Sequence, residues 1–388
     1  MKNSGQSVLF VINSLCGGGA EQVFATLINH IQPYLQVDNC RVLLLDQGQI
    51  LQQIDAPIVI DRLGSNGGWL DSLLRFRRYM AQLQPDVVVS FLTRANGLAA
   101  AFARRHGYRC IVCERSDTGE RLGRGAGGWL KRWLVRRLYG RAHAVLTVSA
   151  GIKSGLERHY GLAADLISVI HNPCDPDQLQ RLATQPRPRS AEAIQATGFI
   201  ASMGRLVPCK CFDLLIRAYA AGNFPVPLVI IGDGPLRDEL QTLARQLGVA
   251  ARVHFPGYLS NPFPLLAQAS VYVLCSSQEG FPNSLVEAMA LGLPVIASNC
   301  RHGPGEILDE QVLPAVQGVY EAKHGVLVPV GDEAALTLAV RRVLQDAVLR
   351  RFMAQQARHR ASQFALGQVI SRYADAINSQ LQATGGAV

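Results

Sequence analysis

Two carboxylates and two cations stand out for the chemistry their spacing would permit. Glu279 and Glu287 are separated by seven residues in Ser276-Ser277-Gln278-Glu279-Gly280-Phe281-Pro282-Asn283-Ser284-Leu285-Val286-Glu287. Pro282 marks a helix entrance, and Gly292 with Pro294 closes the helix. A helix N-terminus with free backbone N–H groups therefore lies between Glu279, in the loop, and Glu287, one turn inside. Such amides attract an anion, whereas carboxylates suit neutral hydroxyls. Arg205 and Lys210 follow another apolar run, Phe199–Met203, where two cations could neutralise a departing diphosphate. A nucleotide-sugar offers both kinds of group. Plainer roles fit the same residues: Ser284-Leu285-Val286-Glu287 also spells a capping box, and the two cations also suit an ordinary exposed loop.

Both loops need strands whose carboxyl ends present them. Val271–Leu274 and Val295–Ala297 flank the glutamate segment as short apolar runs, giving strand–loop–helix–strand. The alternation recurs. Val8–Ile12, Arg41–Leu45, Ile58–Ile60, Asp86–Phe91, Arg109–Cys113, Ala144–Ser149 and Leu166–Ile170 read as strands, with helices over Ala20–Ile31, Leu70–Leu83, Ala95–Arg105 and Ala150–Tyr160. Residues 182–197 lack periodicity and contain Pro186 and Pro188, after which the alternation restarts. Repeated β–α units imply parallel sheets covered on both faces. The expected class is α/β, with two doubly wound Rossmann-like domains facing across a cleft. The expected bounds are 1–182 and 198–365, a linker at 183–197, and a helix at 366–388 returning to the first domain. Gly17, Gly18 and Gly19 turn the first strand into its helix, where such folds place phosphates; a simple tight turn accounts for them too.

With 388 residues and 48% hydrophobic content, the chain can bury two ordinary cores. No apolar run approaches the ~20 residues that span a bilayer. Val8–Ile12 is too short for a secretion signal, so the expected location is the cytoplasm, with the inner face of the cytoplasmic membrane as a docking surface. Nine cysteines suit a reducing compartment. Cys110/Cys113 and Cys209/Cys211 are read as thiols rather than zinc ligands, because neither pair has a matching partner pair.

The net charge is +9, and residues 1–185 hold 21 Lys/Arg against 14 Asp/Glu, which points to an anionic partner for that half. Its densest part is Arg121–Arg141, with Arg121, Arg124, Lys131, Arg132, Arg136, Arg137 and Arg141 and no acidic residue. On a helix, Trp129, Trp133 and Arg137 share one stripe, and Leu130, Leu134 and Leu138 the next. An interfacial helix meeting anionic headgroups or a lipid diphosphate fits this pattern. A domain helix burying its Trp/Leu face beneath solvated arginines fits it equally. No nucleic-acid-binding module is recognisable.

Several segments, in order along nearly the whole chain, resemble the GT4 retaining glycosyltransferases of the two-domain GT-B fold. They are Gly17-Gly18-Gly19-Ala20-Glu21, Val148-Ser149, Val169-Ile170-His171-Asn172-Pro173-Cys174-Asp175, Gly204-Arg205-Leu206 through Lys210, Gly232-Asp233-Gly234-Pro235, Gly257-Tyr258, the two-glutamate stretch, and Arg301-His302-Gly303-Pro304-Gly305-Glu306-Ile307. The resemblance implies transfer of a hexose or N-acetylhexosamine from a nucleotide-sugar, by family frequency a UDP-sugar, with retention of anomeric configuration. Carried over by residue, it puts Arg205 and Lys210 on the diphosphate and Glu279 on the transferred sugar. It puts the backbone around Tyr258 and Leu259 on the base, and Glu287 on the ribose. Phe281, Pro282, Asn283, Ser284 and Leu285 would meet sugar and phosphate, and Gly17–Gly19 would approach donor or acceptor. Two departures matter: Cys211 stands where the family usually has glycine, and Ser90–Asn96 lacks the histidine many members carry near the reacting sugar. Arg94 and Asn96 are its substitutes; with Arg115 and the basic helix they form the acceptor- or membrane-facing set.

Breaking an anomeric C–O bond develops negative charge on the leaving diphosphate, which preorganised cations and a helix N-terminus stabilise. No metal or other cofactor is therefore expected, and Asp175-Pro176-Asp177, which mimics an Asp-x-Asp metal motif, is read as loop. With the basic Trp/Leu helix, the expected acceptor is a glycan, of the polyprenyl-diphosphate-linked kind, in lipopolysaccharide or other surface-polysaccharide biosynthesis. The alternatives are a GT-B transferase or phosphorylase on a soluble acceptor, and a peripheral membrane scaffold with an inactive transferase fold.

Overall fold

The computed structural model describes residues 5–65, 68–116, 126–192, 194 and 198–385. The chain forms two compact units: one runs up to Pro173 and includes the segment from Leu366 onwards, and the other is Cys174–Ala365. By sequence, residues 174–182 were expected in the first domain. The helix that begins there buries Leu179, and Gln180 Nε2 donates to the Ala290 carbonyl at 3.2 Å, so they pack with the second unit.

In the first unit β1 (Ser7–Ile12), β2 (Asn39–Asp46), β3 (Val59–Ser65), β4 (Val87–Phe91), β5 (Arg109–Glu114), β6 (Ala144–Thr147) and β7 (Ile167–Val169) form one sheet in the order β3-β2-β1-β4-β5-β6-β7. Every neighbouring pair is parallel. Val8–Ile12 is buried throughout, as expected of a parallel strand covered on both faces. The connecting helices are α1 (Gly19–Ile31), α2 (Trp69–Leu83), α3 (Thr93–His106), α4 (Ala126–Tyr139) and α5 (Ala150–Tyr160).

The second unit repeats the plan with β8 (Ile200–Met203), β9 (Leu228–Ile231), β10 (Val253–Gly257), β11 (Val271–Leu274), β12 (Val295–Ser298), β13 (Tyr320–Ala322) and β14 (Gly325–Val328). The order is β10-β9-β8-β11-β12-β14-β13, parallel except for the β13–β14 hairpin. Its helices include α6 (Pro176–Ala183), α7 (Phe212–Gly222), α8 (Arg237–Gln246), α9 (Asn283–Ala290), α10 (Pro304–Asp309), α11 (Glu333–Gln345) and α12 (Ala347–Ser362). Then α13 (Leu366–Gly385) returns to the first unit and packs on α1, β4 and β5. Val369, Ile370, Tyr373, Ile377 and Leu381 share its inner face and join a core with Phe10, Phe24 and Phe91. The Phe24 and Phe91 rings meet edge-on at 5.1 Å, and Tyr373 stacks on Phe91 at 6.4 Å.

Candidate active site

In an open α/β sheet, ligands bind beyond the carboxyl ends of the strands, where the connections diverge to either side. In the second unit that point lies between β8 and β11. The loop after β8 carries Arg205 and Lys210, and the loop after β11 carries Glu279. They are tied together: the Ser277 N–H and hydroxyl donate to the Cys209 carbonyl at 2.9 and 3.3 Å, and the Cys275 thiol donates to the Lys210 carbonyl at 3.1 Å. Beneath them the β9 turn approaches closely. Gly232, at φ +139°, leaves no room for a Cβ, which would collide with the Gly204 carbonyl.

At the centre, Lys210 Nζ donates to Glu279 Oε1 at 2.5 Å, with the side chains 21% and 10% exposed. Burial alone would lower the lysine's pKa. The Glu279 charge and hydrogen bond outweigh it, so the net shift is upward and Lys210 is held as an ammonium. Arg205 is exposed, and its guanidinium has no partner among the described residues. Cys211 sits at φ +49°, ψ +41°, the left-handed conformation that glycine reaches without strain.

The Glu279 loop leads into α9. Its N-cap is Pro282, with no side-chain cap, and Ser284 is the second helical residue, so the capping box is not formed. Instead Ser284 Oγ accepts from the Tyr272 hydroxyl at 2.8 Å. The Leu285 N–H is committed to the Pro282 carbonyl at 3.2 Å and Leu285 is fully buried, which takes its amide out of the set expected to meet sugar and phosphate. Phe281 is buried edge-on against Phe364, and Gly303, at φ +91°, packs against the turn, where a Cβ would come within 2.7 Å of Pro282 Cδ. Glu287 is half-buried one turn into the helix. Tyr272 lies within the field of both glutamates: burial first, then Glu287 and Glu279, raise its phenol pKa. Sequence reasoning missed this tyrosine, whose one polar atom hides in an apolar run. In the loop after β10, Tyr258 is exposed and Leu259 buried.

Asp175 is the N-cap of α6, accepting the Gln178 N–H at 2.9 Å, and Asp177 lies in the first turn. The Asp-x-Asp pattern is thus a helix start, and among the described residues no three His, Cys, Asp or Glu side chains gather in a metal-binding group. Cys110 and Cys113 are buried in β5 three positions apart, on opposite faces of the strand, a placement unsuited to gripping one ion.

In the first unit, Gly17 has φ +100° and Gly18 caps α1 without a side chain, while the Glu21 carboxylate folds back over Gly18. That negative charge at the α1 N-terminus suits hydroxyls better than phosphate. Arg94 forms an ion pair with Asp46 at the carboxyl end of β2, a partner the sequence did not reveal. Two expectations need correction. Asn96 is fully buried, its amide donating to the Cys113 carbonyl at 3.0 Å and the Tyr139 hydroxyl at 3.2 Å, so it braces α3 against β5 and α4 rather than facing an acceptor. Arg115 is likewise buried, donating to Tyr373 Oη at 2.8 Å and Asn172 Oδ1 at 2.5 Å with its guanidinium over the Phe91 ring; it clamps α13 to the sheet.

The inner face of α4 is Val135, Leu138 and Tyr139, while Trp133, Leu134, Arg136 and Arg137 are exposed and Arg132 is half-buried. Burial of the Trp/Leu face is therefore overturned at Trp133 and Leu134. Arg137 stacks over the Trp133 ring at 5.6 Å. The side chains of Trp129 and Lys131 lie outside the described residues. No described helix is long and apolar enough to cross a membrane.

Comparison with known proteins fits this geometry. The family described as "Glycosyl transferases group 1" matches residues 187–360, and "Glycosyl transferase 4-like domain" matches residues 6–173. An N-acetylgalactosamine-N,N'-diacetylbacillosaminyl-diphospho-undecaprenol 4-alpha-N-acetylgalactosaminyltransferase of Campylobacter jejuni is 25% identical over 380 residues, 92% of this chain and 96% of its own. The lipopolysaccharide core biosynthesis glycosyltransferase LpsE of Rhizobium meliloti is 34% identical over 158 residues, covering 40% of this chain and 42% of its own. Among solved structures, Anabaena HepE in complex with UDP superposes with a TM-score of 0.78 at 22% identity, over 96% of this chain and all of HepE. With two Rossmann-like units of the GT-B kind and both halves matched, the chain belongs to the GT4-type group 1 glycosyltransferases and is a hexosyltransferase-type enzyme.

Proposed function

We propose that this enzyme moves a hexose or N-acetylhexosamine, with retention, from a UDP-sugar held by the second unit to a lipid-linked glycan. The observation that carries the donor half is the Lys210–Glu279 pair at the divergence of β8 and β11, beside exposed Arg205 and the α9 N-terminus. The ammonium commits one of its three N–H donors to Glu279, leaving two for phosphate oxygens. Glu279 Oε2 remains to accept from a sugar hydroxyl. As the anomeric C–O bond breaks, charge collects on the departing diphosphate, and Arg205, Lys210 and the α9 amides compensate it. The acceptor oxygen bonds to the anomeric carbon on the same face, and its proton passes to the departing phosphate oxygen. None of these steps calls on a metal. Glu287 takes the ribose, and Tyr258 and Leu259 the base. Three strand spacings separate β10 from β11, roughly 14 Å, a span suited to a molecule with a base at one end and a sugar at the other.

Uridine is favoured by HepE's complexes with UDP and UDP-glucose, and a polyprenyl-diphosphate-linked acceptor by the undecaprenol-linked substrate in the Campylobacter relative's name. Exposed Trp133 and Leu134 favour that acceptor over a soluble one and suit contact with the inner face of the cytoplasmic membrane. The test is UDP release by the purified enzyme from a panel of UDP-sugars with a polyprenyl-diphosphate-linked glycan. Release that requires both substrates is expected. No release from any pairing would overturn the proposal.

A further inference from the structure

We propose that Cys209 and Cys211 are a redox modification site. Hydrogen peroxide joins them in a disulfide across Lys210, and the closed ring draws the Lys210 ammonium away from Glu279. The inference rests on the reading of Lys210 as a donor ligand and adds the regulation of that site.

The two cysteines bracket Lys210 in the connection from β8 to α7, and both are free thiols that are partly exposed. Pro208–Lys210 is a single 3-10 winding, in which the Lys210 and Cys211 N–H groups donate to the Val207 and Pro208 carbonyls at 3.0 and 3.1 Å. Two residues apart on such a winding, Cα atoms lie roughly 5–6 Å from each other, inside the span that a disulfide bridges. The Cys211 thiol already folds back over the turn. Its Sγ lies 3.5 Å from the Pro208 carbonyl oxygen and 3.8 Å from that of Cys209. The Cys211 backbone stands at φ +49°, so a side chain is kept there under a strain that glycine would avoid.

Two more thiols stand close by, and they differ. Cys275 donates to the Lys210 carbonyl at 3.1 Å, and Cys300 lies near the same ammonium. Both are buried, and burial raises their pKa values, so they stay protonated and inert. That leaves the partly exposed pair for the chemistry. One of its thiols, as thiolate, attacks a peroxide oxygen; the O–O bond breaks, and a sulfenic acid and water result. The second thiol attacks that sulfur, the S–O bond breaks, and another water leaves as the S–S bond forms. Peroxide thereby takes up the two electrons and two protons that the thiols give.

The ring that closes contains the Lys210 backbone. Side chains two apart on a 3-10 winding point about 120° from each other, so joining them twists the turn at the residue between. The ammonium, now 2.5 Å from Glu279 Oε1, moves off, and the donor phosphates lose a cation. A strained, exposed disulfide is also an easily reduced one, so the change is reversible.

The test treats the full chain with hydrogen peroxide and digests it with trypsin, which cuts after Arg205, Lys210 and Arg217. Residues 206–210 and 211–217 should stay joined until dithiothreitol is added. UDP affinity, by titration calorimetry, should fall at least tenfold on oxidation and return on reduction. Acylation of the Lys210 amine should rise at least tenfold as it leaves Glu279. Cys209→Ser and Cys211→Gly should each bind UDP within twofold of the reduced wild type and keep that affinity in peroxide. A crosslink to any other cysteine, or a fall in affinity that persists in both variants, overturns the proposal. So does a disulfide between Cys209 and Cys211 that leaves UDP affinity and Lys210 acylation unchanged. A reduced enzyme that binds no UDP, with Lys210 acylation still rising on oxidation, counts against the donor reading alone and leaves the switch at Lys210 standing.

Discussion

Lys210 and Glu279 hold each other in a partly water-shielded position, so removing one leaves the other's charge uncompensated. Breaking a buried pair from one side costs about 3–5 kcal/mol, and the solvent remaining here favours the lower end. Lys210→Ala should lower kcat about 10²–10³-fold, as loss of one preorganised charge donor does, together with the thermal midpoint. Lys210→Arg should recover more stability than rate, because a planar fork does not reproduce a point charge. Full turnover in Lys210→Ala would remove the lysine from the chemistry. The pH dependence has a definite sign. With its pKa raised above 10.5, Lys210 contributes stability that is complete below that pH and is lost only as pH climbs through the higher folded value. Stability between pH 6 and 9 should therefore be insensitive to this pair, checked by melts of wild type and Lys210→Met across that range. Cys211 makes the opposite case: Cys211→Gly relieves left-handed strain and should stabilise by about 1 kcal/mol, read as a midpoint rise of roughly 2–4 °C. A fall would mean that the thiol's packing outweighs the strain. The positions of Arg205, Lys210 and Glu279 were legible in the sequence because each lies in a loop that follows a buried apolar run, at the carboxyl end of a strand. Asn96 and Arg115 were not, because a polar residue just beyond a strand looks the same whether it faces solvent or braces a neighbouring helix.

Elements were legible wherever burial on both faces writes a continuous apolar run, as in Val271–Leu274. The face a helix turns inward was harder. In α4 both the Trp/Leu stripe and the Val135–Leu138–Tyr139 edge could serve, and the choice depends on Asn96 and Glu114 waiting for the Tyr139 hydroxyl, 3.2 and 2.5 Å away. The β13–β14 hairpin is too short to announce itself, and a cluster of charges meets its turn. Glu310, just past α10, accepts from Lys323 Nζ at 2.9 Å and lies 3.2 Å from His324 Nε2 and 3.6 Å from Arg360 Nη1. Hydrogen bonds from Lys323 and His324 take its carboxyl from the usual 4.5 down to about 2. A depressed carboxylate contributes stability above pH 4.5 that disappears as pH falls toward 2. Glu310→Gln should be less stable at pH 7 and show a shallower loss across that acid window, followed by denaturant melts. Identical acid profiles would show that the hairpin is held by packing alone.

At the scale of the molecule, the residues proposed for the UDP moiety all lie between Cys174 and Ala365, so the two units should answer UDP differently. A ligand at 100 times its Kd stabilises the unit that binds it by about 2.7 kcal/mol. Calorimetry with excess UDP should raise the second unit's transition and leave the first unmoved; a shift in both would mean that the units unfold as one. The first unit has its own dependence, because α13 supplies Val369, Ile370, Tyr373, Ile377 and Leu381 to its core. This sets an order of events at the ribosome. Residues up to Pro173 emerge early, yet the apolar surface around Phe10, Phe24 and Phe91 has no cover until α13 is made, roughly 200 residues later. At about 5–20 residues per second that is a delay of about 10–40 s. The second unit, contiguous in the chain, can finish first. The first unit is thus the last to be completed, and during synthesis its apolar surface stays uncovered the longest.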